Sequence, residues 1–278
     1  MPFQSGYCDR ERELYCSEVF RLNSAKRIVI LLLVLSGSAL TSAASTDPFD
    51  APVEKKIVDF GPSPYYGPGT DIHVRLSCYI YPAFMVKQYD EGQKGAEWLA
   101  VAPIEKGAVP QCAKSHEPSE WVLDNEKEWH GYFKGVKGNL VFFVAADGAD
   151  GGMPFAIFDP KTRRKIFEDS YFYAGMWNVK FKDSPFNDIR VQRSANGHVS
   201  LKYLRVIGTE YDLHTARAPS WGPLRKRLGI KTIQKPACLF YAKGSWGPSV
   251  VAYPVEVSLF PKPVRKNIEG PVRCWSVD

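Results

Sequence analysis

"NLVFFVAADGADGGMPFAIFDPKTRRKIFED", residues 139–169, decides the fold. Its first eight residues are apolar without alternation, the pattern of a strand buried on both faces. A polar loop, "DGADGG" (147–152), leads into a second apolar run, "PFAIFD" (154–159). That run opens on Pro154, where a missing N–H is tolerated at a strand start. Asp159-Pro160-Lys161-Thr162 places proline at the second position of a type I turn, and "RKIFED" (164–169) makes a third strand. Three short runs joined by two turns predict a β-meander.

The loop itself has three readings. Glycines 148, 151 and 152 allow positive φ, and Asp147 and Asp150 can accept nearby backbone amides, so a tight reversal explains every residue. A Ca²⁺ site at Asp147 and Asp150 is weaker. Calcium takes six to eight oxygens, and the spacing lacks the acidic or amide positions 1, 3 and 5 of an EF-hand. A catalytic carboxylate is weaker still. The turn is the favoured reading.

Working outward, the same pattern fills the chain from residue 72. "IHVRLSCYIY", "AFMVKQY", "EWLAVAP", "GYFKGV", "WNVKFK", "DIRVQR", "HVSLKYLRVI", "ACLFYAK", "SVVAYPVEVSLF" and "VRCW" are strand candidates separated by Gly, Pro, Asn and Asp. Several alternate with period two; Ile72, Val74 and Leu76 face opposite to His73, Arg75 and Ser77. Such runs predict an all-β antiparallel sandwich or barrel-like single domain. "PSWGPLRKRLG" is the one helix candidate, limited to a turn or two by Gly222 and Pro223, with Ser220 as its cap. Crossover helices for a parallel sheet are missing, and no blade-length repeat supports a propeller. Residues 45–71 carry five prolines and no sustained periodicity, and read as an extended leader before an all-β domain over 72–278.

The N-terminus assigns a compartment. Lys26 and Arg27 precede the 13-residue apolar run "IVILLLVLSGSAL" and the small residues "TSAAS", the layout of a secretory signal peptide over residues 1–44. The run is shorter than the roughly 20 residues a membrane span requires. The polar stretch ahead of it is long for a signal, and Val19 or Leu22 would serve as a later start. Cleavage removes Cys8 and Cys16 and leaves Cys78, Cys112, Cys238 and Cys274. Four cysteines in an exported chain predict two disulfides. "CYIY" and "CLFY" open similar segments that close at Cys112 and Cys274, which favours Cys78–Cys112 and Cys238–Cys274, each worth about 3–4 kcal/mol. No CxxC occurs, which excludes a zinc ribbon or thioredoxin-like site.

The formal net charge of +6 is spread along the chain. Its densest clusters, "KTRRK" (161–165) and "RKR" (225–227), read as a solvated turn and helix end, so a nucleic-acid partner is not expected. "SWGP" occurs twice, at 220–223 and 245–248, and sets Trp221 and Trp246 on rigid turns. Exposed, these rings would stack on a sugar or peptide; folded inward, they would serve the core. Catalytic signals are thin. There is no G-x-S-x-G elbow, and the histidines make no H-x-x-x-H or H-E-x-x-H. Glu128, Asp147, Asp150, Asp159 and Glu168 are the candidates for a carboxylate pair.

The sequence therefore predicts a disulfide-stabilised all-β binding protein of the bacterial periplasm or exterior. Trp221 and Trp246 are its expected contacts, and a glycan, a peptide or an envelope protein its partner. A polysaccharide hydrolase using two carboxylates is the alternative, and an envelope-stability role with no small ligand is a third reading. No stable membrane span is expected after signal cleavage, and no cofactor beyond Ca²⁺ at the 147–150 loop.

Overall fold

The three runs of the opening stretch form consecutive antiparallel strands. These are β7 (Leu140–Ala145), β8 (Gly152–Asp159) and β9 (Arg164–Phe172), with Val141 opposite Phe158 and Asp159 opposite Arg164. Val141, Phe142 and Phe143 are all buried, so β7 is covered on both faces as its composition demands. The β8–β9 turn is held by Asp159, whose carboxylate accepts the Lys161 N–H at 2.9 Å and the Thr162 hydroxyl at 2.8 Å. Gly152 is obligatory for packing: a Cβ there would lie 2.5 Å from Ser170 Oγ and 2.9 Å from Val206.

The computed structural model describes residues 48–67, 69–148, 152–174, 186, 188–214, 220–239 and 248–276, within one compact unit, Ser45–Asp278. The signal-peptide segment, Asp150, Trp246 and the expected strand "WNVKFK" lie outside the described residues. Five strands make a sequential antiparallel sheet: β1 (Glu54–Pro62), β2 (His73–Ile80), β3 (Phe84–Asp90), β4 (Trp98–Pro103) and β5 (Trp121–Val122). The larger sheet adds β6 (Gly131–Lys137), β10 (Arg190–Arg193), β11 (Val199–Gly208), β12 (Cys238–Leu239), β13 (Ser249–Ser258), β14 (Val264–Asn267) and β15 (Arg273–Ser276) to β7–β9. Its order is β12-β15-β13-β11-β9-β8-β7-β6, with β10 on β11 and β14 on β13. The sheets stay open, which makes the fold a sandwich and not a barrel. Phe84, Val86, Leu99 and Val101 of the smaller sheet share a core with Val136, Val141, Phe143, Ala156 and Phe158 of the larger. On the larger sheet's other face, Phe155, Ile157, Leu201, Tyr203, Val251 and Tyr253 pack with Trp221 and Leu224.

Trp221 and Leu224 belong to α1 (Trp221–Leu228), the short helix expected at this place. Pro223 is accommodated because first-turn N–H groups have no helical partner. Gly229 ends the helix in the left-handed region at φ 67°. Ser220 occupies the cap position but its side chain makes no capping hydrogen bond, contrary to expectation.

The stretch expected to be a leader is part of the sandwich. Phe49 packs on Gly135, where a Cβ would come within 2.4 Å of its ring. Asp50 donates its N–H to Val136 O at 2.8 Å and accepts the Gly138 N–H at 2.6 Å. The chain then crosses to the other sheet and runs as β1, pairing Glu54 with Ile80 through Asp59 with Arg75. As an edge strand β1 is mostly exposed, so it shows no apolar period to read.

Both disulfides join the expected partners. Cys78 in β2 is bonded to Cys112 in the loop between β4 and β5, and Cys238 in β12 to Cys274, its direct neighbour in parallel strand β15.

Candidate functional site

The outer face of the five-stranded sheet carries a line of rings. Strand register sets Val58, Leu76, Tyr89 and Trp98 side by side across β1–β4. Phe60, two residues beyond Val58 and hence on the same face, meets Tyr89 edge-on at 6.1 Å. Tyr89 stacks on Trp98 at 5.5 Å, and Trp98 meets the His116 ring at 4.4 Å. Tyr89 is buried under its neighbours. Phe60 is 50% exposed and Tyr65, in the β1–β2 connection, 53%.

A polar chain runs alongside. Lys114 Nζ donates to the Tyr89 hydroxyl at 2.6 Å, and that hydroxyl donates to Glu91 Oε1 at 2.6 Å. Tyr65 donates its hydroxyl to Glu91 Oε2 at 3.2 Å. The electrostatics follow. The Tyr89 hydroxyl, then Tyr65 and Lys114, hold the Glu91 carboxyl below the ordinary glutamate range. Burial, then the bond to Glu91, pushes the Tyr89 phenol up. The bond to Tyr89 keeps Lys114 protonated to higher pH than usual.

The loop that delivers Lys114 and His116 is tied down from beneath. Cys112 is anchored to Cys78. Lys87, on β3, is fully buried; its ammonium bonds Ala113 O at 3.3 Å, Ser115 O at 3.4 Å and the Glu120 carboxylate. Those two carbonyls flank Lys114, so Lys87 fixes the backbone on both sides of it. His116 Nδ1 lies 3.0 Å from Glu120 Oε2.

Glu91 gives a direct check. A carboxyl whose folded pKa is lowered contributes stability above its unfolded pKa, and that contribution disappears as pH falls through the folded value. By NMR the Glu91 side chain should titrate with a midpoint below that of an ordinary glutamate. Tyr89→Phe, which deletes its strongest hydrogen bond, should raise that midpoint; an unchanged midpoint would show that the hydroxyl does not hold the carboxylate.

Comparison finds no matching family model, no matching curated protein and no matching solved structure.

The residues singled out in the sequence lie elsewhere. Trp221 is only 3% exposed and donates its indole N–H to Ile233 O at 3.0 Å. It is a core residue with no free face for a ligand, a correction to its expected contact role; Trp246 lies outside the described residues. Asp147 is exposed and paired with Lys94, which lowers its pKa. Asp150 lies outside the described residues, and among those described no group of three or more His, Cys, Asp or Glu side chains is placed to hold a metal. Glu128 accepts the Asp124 N–H at 2.8 Å, Asp159 holds its turn, and Glu168 pairs with Lys165 at 2.7 Å.

Sequence reading missed Phe60, Tyr89, Glu91, Trp98 and Lys114. One signal was available: "QYDEGQKGAEW" places Tyr89 and Trp98 at matching distances from the middle of a hairpin connection, which predicts that they pair.

Proposed function

We propose that this protein is an exported, disulfide-stabilised β-sandwich that binds a glycan on the outer face of its five-stranded sheet. The observation that carries the reading is the pair of exposed rings, Phe60 and Tyr65, set beside the Lys114–Tyr89–Glu91 chain. Sugars present flat C–H faces edged by hydroxyls, and are matched by aromatic rings next to fixed charged donors and acceptors. The disulfides and the N-terminal sequence pattern support export, to the bacterial periplasm or exterior. Binding stands ahead of polysaccharide hydrolysis because Glu128, Asp147, Asp159 and Glu168 each have a local partner.

Calorimetry of residues 45–278 against neutral oligosaccharides, muropeptides and peptides tests this. Phe60→Ala should weaken glycan binding about tenfold, equivalent to ~1.4 kcal/mol, and leave the melting temperature unchanged because the ring is half exposed. Affinity indifferent to both Phe60→Ala and Tyr65→Ala, or binding of peptides alone, overturns the reading.

A further inference from the structure

At the other face of the molecule's larger sheet, three connections converge around a cleft of about 390 Å³. They are the β6–β7 turn at Gly138-Asn139, the β10–β11 turn at Ser194–Gly197, and the β13–β14 connection through Phe260, Pro261 and Pro263. Among the described residues, two side chains in its lining present groups that make no hydrogen bond or apolar burial of their own.

The first is Phe260. It is 58% exposed, yet its ring is held in place, stacked on the His198 imidazole at 4.5 Å with 27° between the planes. Pro261 and Pro263 follow it with fixed φ. A large apolar face kept in water on a stiffened support loses little entropy when a ligand covers it.

The second is Arg193. Its guanidinium lies between two turn tips: a Cβ at Gly138 would sit 3.6 Å from Nε, and one at Gly197 3.6 Å from Nη2. Among the described residues no hydrogen bond or ion pair engages it. The carboxylates nearby are committed elsewhere. Asp50 binds Lys137 at 2.9 Å and the Gly138 N–H, and feels the Arg193 charge only at a distance, without a hydrogen bond to it; Asp159 holds its own turn. The planar fork of arginine donors therefore stays free, and its geometry matches a carboxylate held by two parallel bonds.

We propose that this cleft is a second binding site, for a hexuronate residue of an acidic polysaccharide, with Arg193 pairing the sugar carboxylate and Phe260 stacking on the pyranose face. A single guanidinium beside an aromatic ring suits one carboxylate on a ring. A phosphate dianion calls for several converging donors.

The experiment is calorimetry with oligogalacturonate, oligoglucuronate and oligomannuronate, and with the neutral methyl ester of whichever acid binds. The wild type should bind at least one acid form, and about tenfold more tightly than its ester. Arg193→Gln should abolish that preference, Phe260→Ala should weaken acid and ester alike, and both should melt with the wild type because each residue is exposed. Phe60→Ala should leave uronate binding unchanged. Failure of all three acids to bind, equal affinity for acid and ester, or a preference that survives Arg193→Gln overturns the proposal. Uronate binding lost in Phe60→Ala alone also overturns it, and places the acid on the aromatic strip, where the glycan-binding reading would stand.

Discussion

Replacing Lys87 with methionine is expected to destabilise the protein by about 3–5 kcal/mol, the usual loss when one member of a buried ion pair is removed. Lys87 and Glu120 both have fully buried side chains, and the ammonium's three protons are matched by one carboxylate and two carbonyls. Methionine fills similar volume, so little of the loss comes from a cavity. It comes from a stranded Glu120 charge and from two carbonyls left without a donor; the His116 contact compensates only in part. Urea denaturation should show the midpoint falling with little change in slope. Lys87→Met combined with Glu120→Leu removes both charges and should recover most of the loss. A single variant within about 1 kcal/mol of wild type would show that the pair does not hold the loop. Because Ala113 and Ser115 flank Lys114, the single variant should also weaken glycan binding, which a purely distant stability effect would not do.

What the sequence reveals depends on whether the constraint is local. The 139–169 meander is readable because burial on both faces, a strand-opening proline and a type I turn are each written within a few residues. The disulfide partners are readable because two segments of similar length begin and end alike. β1 is hidden for the opposite reason: an edge strand with Lys55, Lys56 and Asp59 exposed has no buried face to impose a period. Trp221 shows the same limit. "SWGP" specifies a rigid turn but not the direction of the ring, and the helix that begins there turns the indole inward. The aromatic strip draws on β1, β3, β4 and a loop, from Phe60 to His116. Register across four strands brings these residues together, and no short motif encodes it.

Asp169→Ala should cost a similar amount, about 3–5 kcal/mol, but at a different joint. β9 and β11 pair through their backbones at Arg205 and Tyr171, a brief contact for the two halves of a ten-stranded sheet. Side chains reinforce the seam. Asp169 is 5% exposed and accepts hydrogen bonds from Tyr203 Oη at 2.8 Å, Arg205 Nε at 2.8 Å and Arg265 Nη1 at 3.0 Å. Arg205 Nη1 in turn donates to Tyr253 Oη at 2.8 Å. One carboxylate thus links β9 to β11, β13 and β14. Burial, then the charge of Asp169, pushes the Tyr203 phenol far above its ordinary value, so it remains a donor at any working pH. Alanine leaves Arg205 Nε and the Tyr203 hydroxyl desolvated without an acceptor, while Arg265, 38% exposed, can turn to water. Asp169→Asn keeps an acceptor and the side-chain volume but not the charge, and should lose about half as much. Hydrogen exchange distinguishes a seam from a general prop. In Asp169→Asn, amides of β11 and β13 should lose protection before those of β7 and β8, because the weakened contact lies between them. Equal loss throughout both sheets would mean that the backbone pairing, and not this carboxylate, holds the halves together.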